Sequence, residues 1–204
     1  MDTSPVNCRS KSRDSAGRNG QDSPRSVSAL QRLIDEYLHE YGNCYALEDR
    51  WWGDQTLTWD QALERAWNSR FHDGKMHGHQ RRVSPHLVQG LEMAWKDGKR
   101  PEDLASFEEL HVWITSVTAR IHGLGKTTAY DVARRLGAWL KLEPSTVYLH
   151  AGTGEGAAKF GIRGHAAPLT AFPPEIQALG AMHAENFLCI FKNRLGEAIE
   201  SSAL

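Results

Sequence analysis

The chain has 204 residues, a formal net charge of -1 and 40% apolar side chains, with seven tryptophans. A balance so near neutral excludes a global basic field, so any nucleic-acid contact must come from a local patch. No apolar run is long enough to span a bilayer and no signal-peptide pattern opens the chain, which leads us to expect no membrane partner and a cytoplasmic setting. The three cysteines, Cys8, Cys44 and Cys189, lack metal-ligand spacing, which fits a reducing compartment.

Residues 1–27 are polar and almost free of apolar pattern, so they read as a disordered tail. Arg9, Lys11, Arg13, Arg18 and Arg25 outnumber its aspartates, yet a solvated extension is the simpler reading. Residues 28–204 read as a single helical domain. From Val27 to Tyr41, Leu30, Leu33, Ile34, Tyr37 and Leu38 fall at helical spacing. Residues 43–58 read as irregular. Trp51 and Trp52 stand together there, and buried packing is favoured over base stacking. Thr58 caps a helix carrying Trp59, Ala62, Leu63, Ala66 and Trp67.

Residues 70–82 form the most polar stretch, with two glycines, three histidines and four basic side chains. They read as a loop. Phosphate contact through Lys75, Arg81 and Arg82 and a merely solvated loop stand level as explanations. A metal site at His77 and His79 ranks behind both, since no cysteine or carboxylate pair accompanies them. Ser84-Pro85 opens the next helix, with Ser84 as expected N-cap, and Asp97-Gly98 closes it. Ser106 and Glu109 form an expected capping box.

The chain then runs through Leu110, Trp113, Ile114 and Val117 into Ile121-His122-Gly123-Leu124-Gly125-Lys126-Thr127-Thr128-Ala129. Two glycines flanking one apolar residue allow a tight turn, with Leu124 plugging down between the helices. The next helix, to Leu140, starts with amides at Gly125, Lys126 and Thr127 that have no intrahelical acceptor, and such a corner attracts anions. Gly125-Lys126-Thr127-Thr128 also matches the end of a phosphate-binding Walker loop. That loop needs a glycine where Arg120 stands and a strand before it, so this reading fails.

Beyond the second helix, Leu142-Glu143-Pro144 leads to Val147-Tyr148-Leu149-His150 and a glycine-rich turn, Ala151 to Gly156. A short helix from Ala157 to Phe160 and a long one from Pro174 to Leu195 complete the chain. Strand signals are nearly absent, and the expected fold is all-α: a compact multi-helix bundle with one helical hairpin over residues 110–140. His150 and Tyr148 can act as proton donors or acceptors, and Asp131 in the hairpin's second helix can reach them. The competing reading packs them in the core with backbone partners, and it is favoured.

The G-h-G-K-T-T-A string resembles the helix-hairpin-helix motif of DNA repair glycosylases of the endonuclease III type, ligases and nucleases. The resemblance implies a hairpin that grips DNA through backbone amides at Gly123, Leu124, Gly125, Lys126 and Thr127. It also implies, as the one cofactor, a monovalent cation between hairpin and phosphate. In the glycosylases the second helix leads to V-D-x-H. Here Val147 and His150 keep that frame, and Tyr148 stands where the excising aspartate belongs. Thr127 stands where bifunctional members carry a nucleophilic lysine. The segment is also similar to a group of small bacterial proteins with G-x-G-x-x-T-x-Y-D before V-Y-L-H-A-G-T, a likeness that implies no particular chemistry. The expected function is salt-sensitive, largely sequence-independent DNA binding, with RNA as the other candidate. The alternatives are a repair-like glycosylase or nuclease using Asp131, Tyr148 or His150, and a protein-interaction or structural domain.

Overall fold

A computed structural model describes residues 28–76 and 78–200. The expected polar tail and His77 lie outside the described residues. Among the described residues nine α-helices and one two-stranded sheet form a mainly α fold.

Helix α1 (Ala29–Trp52) starts where the Ser28 side chain accepts from the Gln31 amide. It runs eleven residues past the expected end at Tyr41, straight through Gly42 and Asn43. Tyr45 and Trp52 continue the buried face of Tyr37, so burial overrides the poor propensity of those two residues. Burial was expected of both paired tryptophans, and only Trp52 is buried. Trp51 is half-exposed, with the Arg65 guanidinium 3.9 Å from its ring centre.

Helix α2 (Trp59–Asn68) opens with a full capping box between Thr58 and Gln61. Helix α3 (Ser84–Asp97) begins at Ser84, whose side chain does not cap it; Val83 holds the N-cap position. These two helices meet at Gly90, where an added Cβ would lie 2.1 Å from the Trp67 ring. Helix α4 (Phe107–Ala119) is capped by Ser106. Glu109 reaches the amide of Ala105 rather than that of Ser106, so the expected box is shifted by one residue. Helix α5 (Lys126–Leu140) packs along α4.

The sheet pairs β1 (Thr146–Tyr148) with β2 (Ala166–Pro168), antiparallel, with Val147 opposite Ala167. Three residues with one β-branched apolar centre are too short to signal a strand in sequence. The stretch expected as a glycine-rich turn is instead helix α6 (Ala151–Ala158). The long C-terminal helix is divided into α7 (Pro174–Gln177), α8 (Gly180–Phe191) and α9 (Leu195–Glu200). Gly180, at φ +76°, makes the first break.

Two apolar clusters result. The first gathers Trp59, Leu63, Trp67, Leu110, Ile114 and Leu136 from α2 to α5. The second gathers Leu33, Tyr37, Val147, Ile176, Phe187 and Leu188 from α1, β1 and the C-terminal helices. Strand β1 lies at their seam. Val147 enters the second cluster while its neighbour Tyr148 packs on the first, as the alternation of a strand requires. Arg134 of α5 faces Asp49 of α1 at 3.8 Å between the two clusters, and beside the second one Tyr37 and His183 share a 2.8 Å hydrogen bond. No described helix is long and apolar enough to cross a membrane.

Candidate nucleic-acid interface

The α4–α5 connection is built by a run of short backbone bonds. The amide of Ile121 donates to Thr118, and the amide of Leu124 donates to Ile121. Gly123, at φ +91°, lets the chain reverse, and an added Cβ there would lie 3.2 Å from the His86 ring of α3. Leu124 is half-buried against the first cluster, the plug its spacing predicts. Gly125 occupies the N-cap of α5 with extended backbone and no capping side chain, and an added Cβ would meet nothing within 4 Å.

The two glycines therefore do different work. Gly123 is required by the backbone, whereas Gly125 leaves an approach open toward the first amides of α5. His122, Gly123, Gly125 and Lys126 are exposed and Thr127 is half-buried. The Lys126 Nζ lies 3.3 Å from Nδ1 of His165, and among the described residues it forms no ion pair. His165 in turn accepts, through its carbonyl, the amide of Leu149. The positive end of α5 thus adjoins the approach to β1 and α6.

The basic loop divides in two. Arg70 and Met76 form an isolated bridge around a tight turn, and Lys75 is paired with Asp73 at 2.7 Å. Lys75 is thus charge-matched at an exposed tip. Arg81 and Arg82 are exposed and follow Gln80, whose buried Nε2 donates to Asp131 Oδ2 at 2.6 Å. That bond brings the two arginines beside the N-terminal half of α5. It also turns Asp131 toward the loop. The carboxylate that meets His150 is a different one, Glu185 of α8.

His150 is the N-cap residue of α6, and the next residue, Ala151, sits at φ +41°, a sparsely populated conformation for a side chain with Cβ. His150 Nε2 lies 3.5 Å from Glu185 Oε1, which also accepts from Thr153 Oγ1 at 2.6 Å. Glu185 and Thr153 are buried. Burial pushes the Glu185 carboxyl up to about 7, against the pull of the Thr153 hydroxyl. The glycines of α6 make this approach possible. A Cβ on Gly156 would lie 2.2 Å from the Leu188 carbonyl oxygen, and one on Gly152 would lie 2.8 Å from Cys189 Sγ. Helix α6 is glycine-rich because it lies almost backbone to backbone on α8.

Tyr148 joins a cluster of rings with Tyr130 and His111, and its hydroxyl is held above the usual tyrosine range by burial. Glu185, Tyr130 and His111 were not foreseen as neighbours of His150. Glu185 is the only Asp, Glu, Lys or Arg on α8, and that isolated charge was the available signal. Among the described residues no group of His, Cys, Asp or Glu is arranged to hold a metal ion.

Compared with models of protein families, with curated proteins and with solved structures, the chain matches none.

Proposed function

We propose that the chain binds nucleic acid, DNA in the first place, through the α4–α5 corner. One observation carries this reading: the first amides of α5 lie open beside Gly125, with Lys126 exposed at the same helix start. A phosphate docked there accepts backbone N–H bonds, gains from the helix dipole and pairs with Lys126. Arg81 and Arg82 supply a second contact, and Lys75 a weaker one because Asp73 already offsets it. Main-chain and phosphate contacts carry no sequence information, so binding is largely sequence-independent and falls steeply with salt. A monovalent cation at the turn would be held by carbonyls among those of His122, Gly123 and Leu124, since those of Thr118, Ile121 and Gly125 already accept amides.

The test is a gel shift at low salt with a matched duplex. Gly125→Asp and Lys126→Glu should abolish the shifted band while the melting temperature stays that of the wild type. Unchanged binding by both variants removes the reading. If the wild type has no affinity for DNA or RNA at low salt, an interaction or structural domain is the better description.

A second reading, a repair-like glycosylase or nuclease, is favoured by the Glu185–His150 contact. A buried carboxylate against an imidazole orients it for proton transfer. Tyr148 would then be a hydrogen-bond donor, with Asp131 a more distant partner held by Gln80. Product formation on a panel of damaged-base duplexes, lost in His150→Ala, would raise this reading above the first.

A further inference from the structure

The open amides of α5 lie close to a set of aromatic rings. Tyr130 stands one helical turn beyond Lys126. Its ring centre is 5.4 Å from that of Tyr148 and 4.9 Å from that of His150. His111 of α4 is 4.3 Å from Tyr148, and Phe107 lies 6.0 Å from both tyrosines. The rings form two layers. Phe107 and Tyr130 are buried; His111, Tyr148 and His150 are half-buried and turn part of their surface outward.

Core packing accounts for the inner layer. The outer layer is only partly packed on it, and His111 and Tyr148 keep part of their ring surface uncovered, where leucine or methionine would seal the same surface without polar ring ends. Burial, and then the neighbouring His150, hold His111 below the usual histidine range, so its ring is uncharged at neutral pH. An uncharged ring beside a tyrosine suits a neutral, flat, aromatic group. Glu108 adjoins both rings and disfavours a phosphate there, whereas Lys126 and His165 favour one at the start of α5.

We infer that the outer layer, His111 with Tyr148, is a stacking site for an unpaired base of the strand whose phosphate the hairpin holds. The preferred partner is then single-stranded or bulged nucleic acid rather than matched duplex. The inference rests on the hairpin reading and adds the partner's class to it. Stacking of a base on an aromatic side chain is strong enough to change affinity roughly 5- to 100-fold.

The experiment compares a single strand, a duplex with one bulged base and a matched duplex by fluorescence anisotropy, with 2-aminopurine as the unpaired base. The single strand and the bulge should bind roughly 5- to 100-fold more tightly than the duplex. The 2-aminopurine emission should fall on binding. The double variant His111→Ala, Tyr148→Ala should erase the preference, and Tyr148→Phe should keep it. Equal affinity for all three, or unchanged emission in the complex, overturns the inference and leaves the hairpin reading intact. Failure of the wild type to bind any of them removes both. Should the alanine variants melt early, the emission of the wild-type complex decides alone.

Discussion

Glu185 Oε1 accepts from Thr153 Oγ1 at 2.6 Å and lies 3.5 Å from His150 Nε2, so one buried oxygen joins α6 and its N-cap to α8. The carboxyl's ordinary value is 4.5 and burial raises it to about 7. Between those values the folded chain holds a proton that the unfolded chain has released. Stability from this group is therefore complete below 4.5 and is lost as the pH rises toward 7. Glu185→Gln keeps the acceptor for Thr153 and removes the titration. It should raise the unfolding free energy at pH 8 by roughly 3 kcal/mol at most.

The same variant should reverse the pH trend. His111 and His183 are both held below the ordinary histidine value of 6.5, chiefly by burial. Their stability is complete above 6.5 and is lost as the pH falls through their lowered folded values. With Glu185 silenced, stability measured by urea unfolding should rise from pH 5.5 to pH 7 instead of falling. A slope identical to that of the wild type would show that Glu185 does not titrate in this range.

Glycines in α6 should respond with opposite signs. Gly156→Ala forces a Cβ to 2.2 Å from a backbone oxygen of α8, and the helix must move. Overpacking of this kind costs about 1–3 kcal/mol, occasionally more. Gly154→Ala meets its nearest neighbour at 3.6 Å, an ordinary contact, and so should gain about 0.5–1 kcal/mol from helix propensity. Chemical denaturation of both variants checks the pair. Destabilisation by both would mean that α6 is packed closely on more than its α8 face.

This contrast explains what the sequence could and could not reveal. The α4–α5 corner was legible because G-h-G before a fresh helix is a local pattern, and Leu124 did plug the turn. The caps at Thr58 and Ser106 were legible for the same reason. The glycines of α6 misled because their cause is distant: nothing near residue 156 announces that Leu188 will lie against it. Tyr148 and His150 were legible as chemistry-bearing types. Their partner Glu185 was not, since a contact across 35 positions has no local signature. Helix α1 outran its expected end because Tyr45 and Trp52 are fixed by tertiary burial, which local propensity does not encode.

The two turn glycines should likewise separate. Gly123→Ala places a Cβ at φ +91° and 3.2 Å from the His86 ring, so the melting temperature should fall by several degrees, for a cost of about 1–2 kcal/mol. A Cβ on Gly125 meets no atom within 4 Å and the φ there is extended, so the melting temperature of Gly125→Val should stay within about 2 °C. Its side chain would stand over the α5 amides, and nucleic-acid affinity should drop nonetheless. Normal affinity in Gly125→Val would show that no ligand approaches the turn from that side.

Asp131 offers the last separation, between structure and chemistry. Its Oδ2 accepts from Gln80, which is fully buried, at 2.6 Å. Asp131→Ala removes that acceptor and leaves the Gln80 amide without it, at a cost of about 1–3 kcal/mol. The 78–82 segment loses its anchor on α5, so Arg81 and Arg82 are no longer held beside the hairpin. Nucleic-acid affinity should then fall about as far as in the double variant Arg81→Ala, Arg82→Ala, and the salt dependence should flatten equally. Asp131→Asn retains an oxygen acceptor and should restore both. If the alanine variant instead lost all turnover on a damaged duplex while keeping its stability, Asp131 would belong to a catalytic site and not to the scaffold beneath the hairpin.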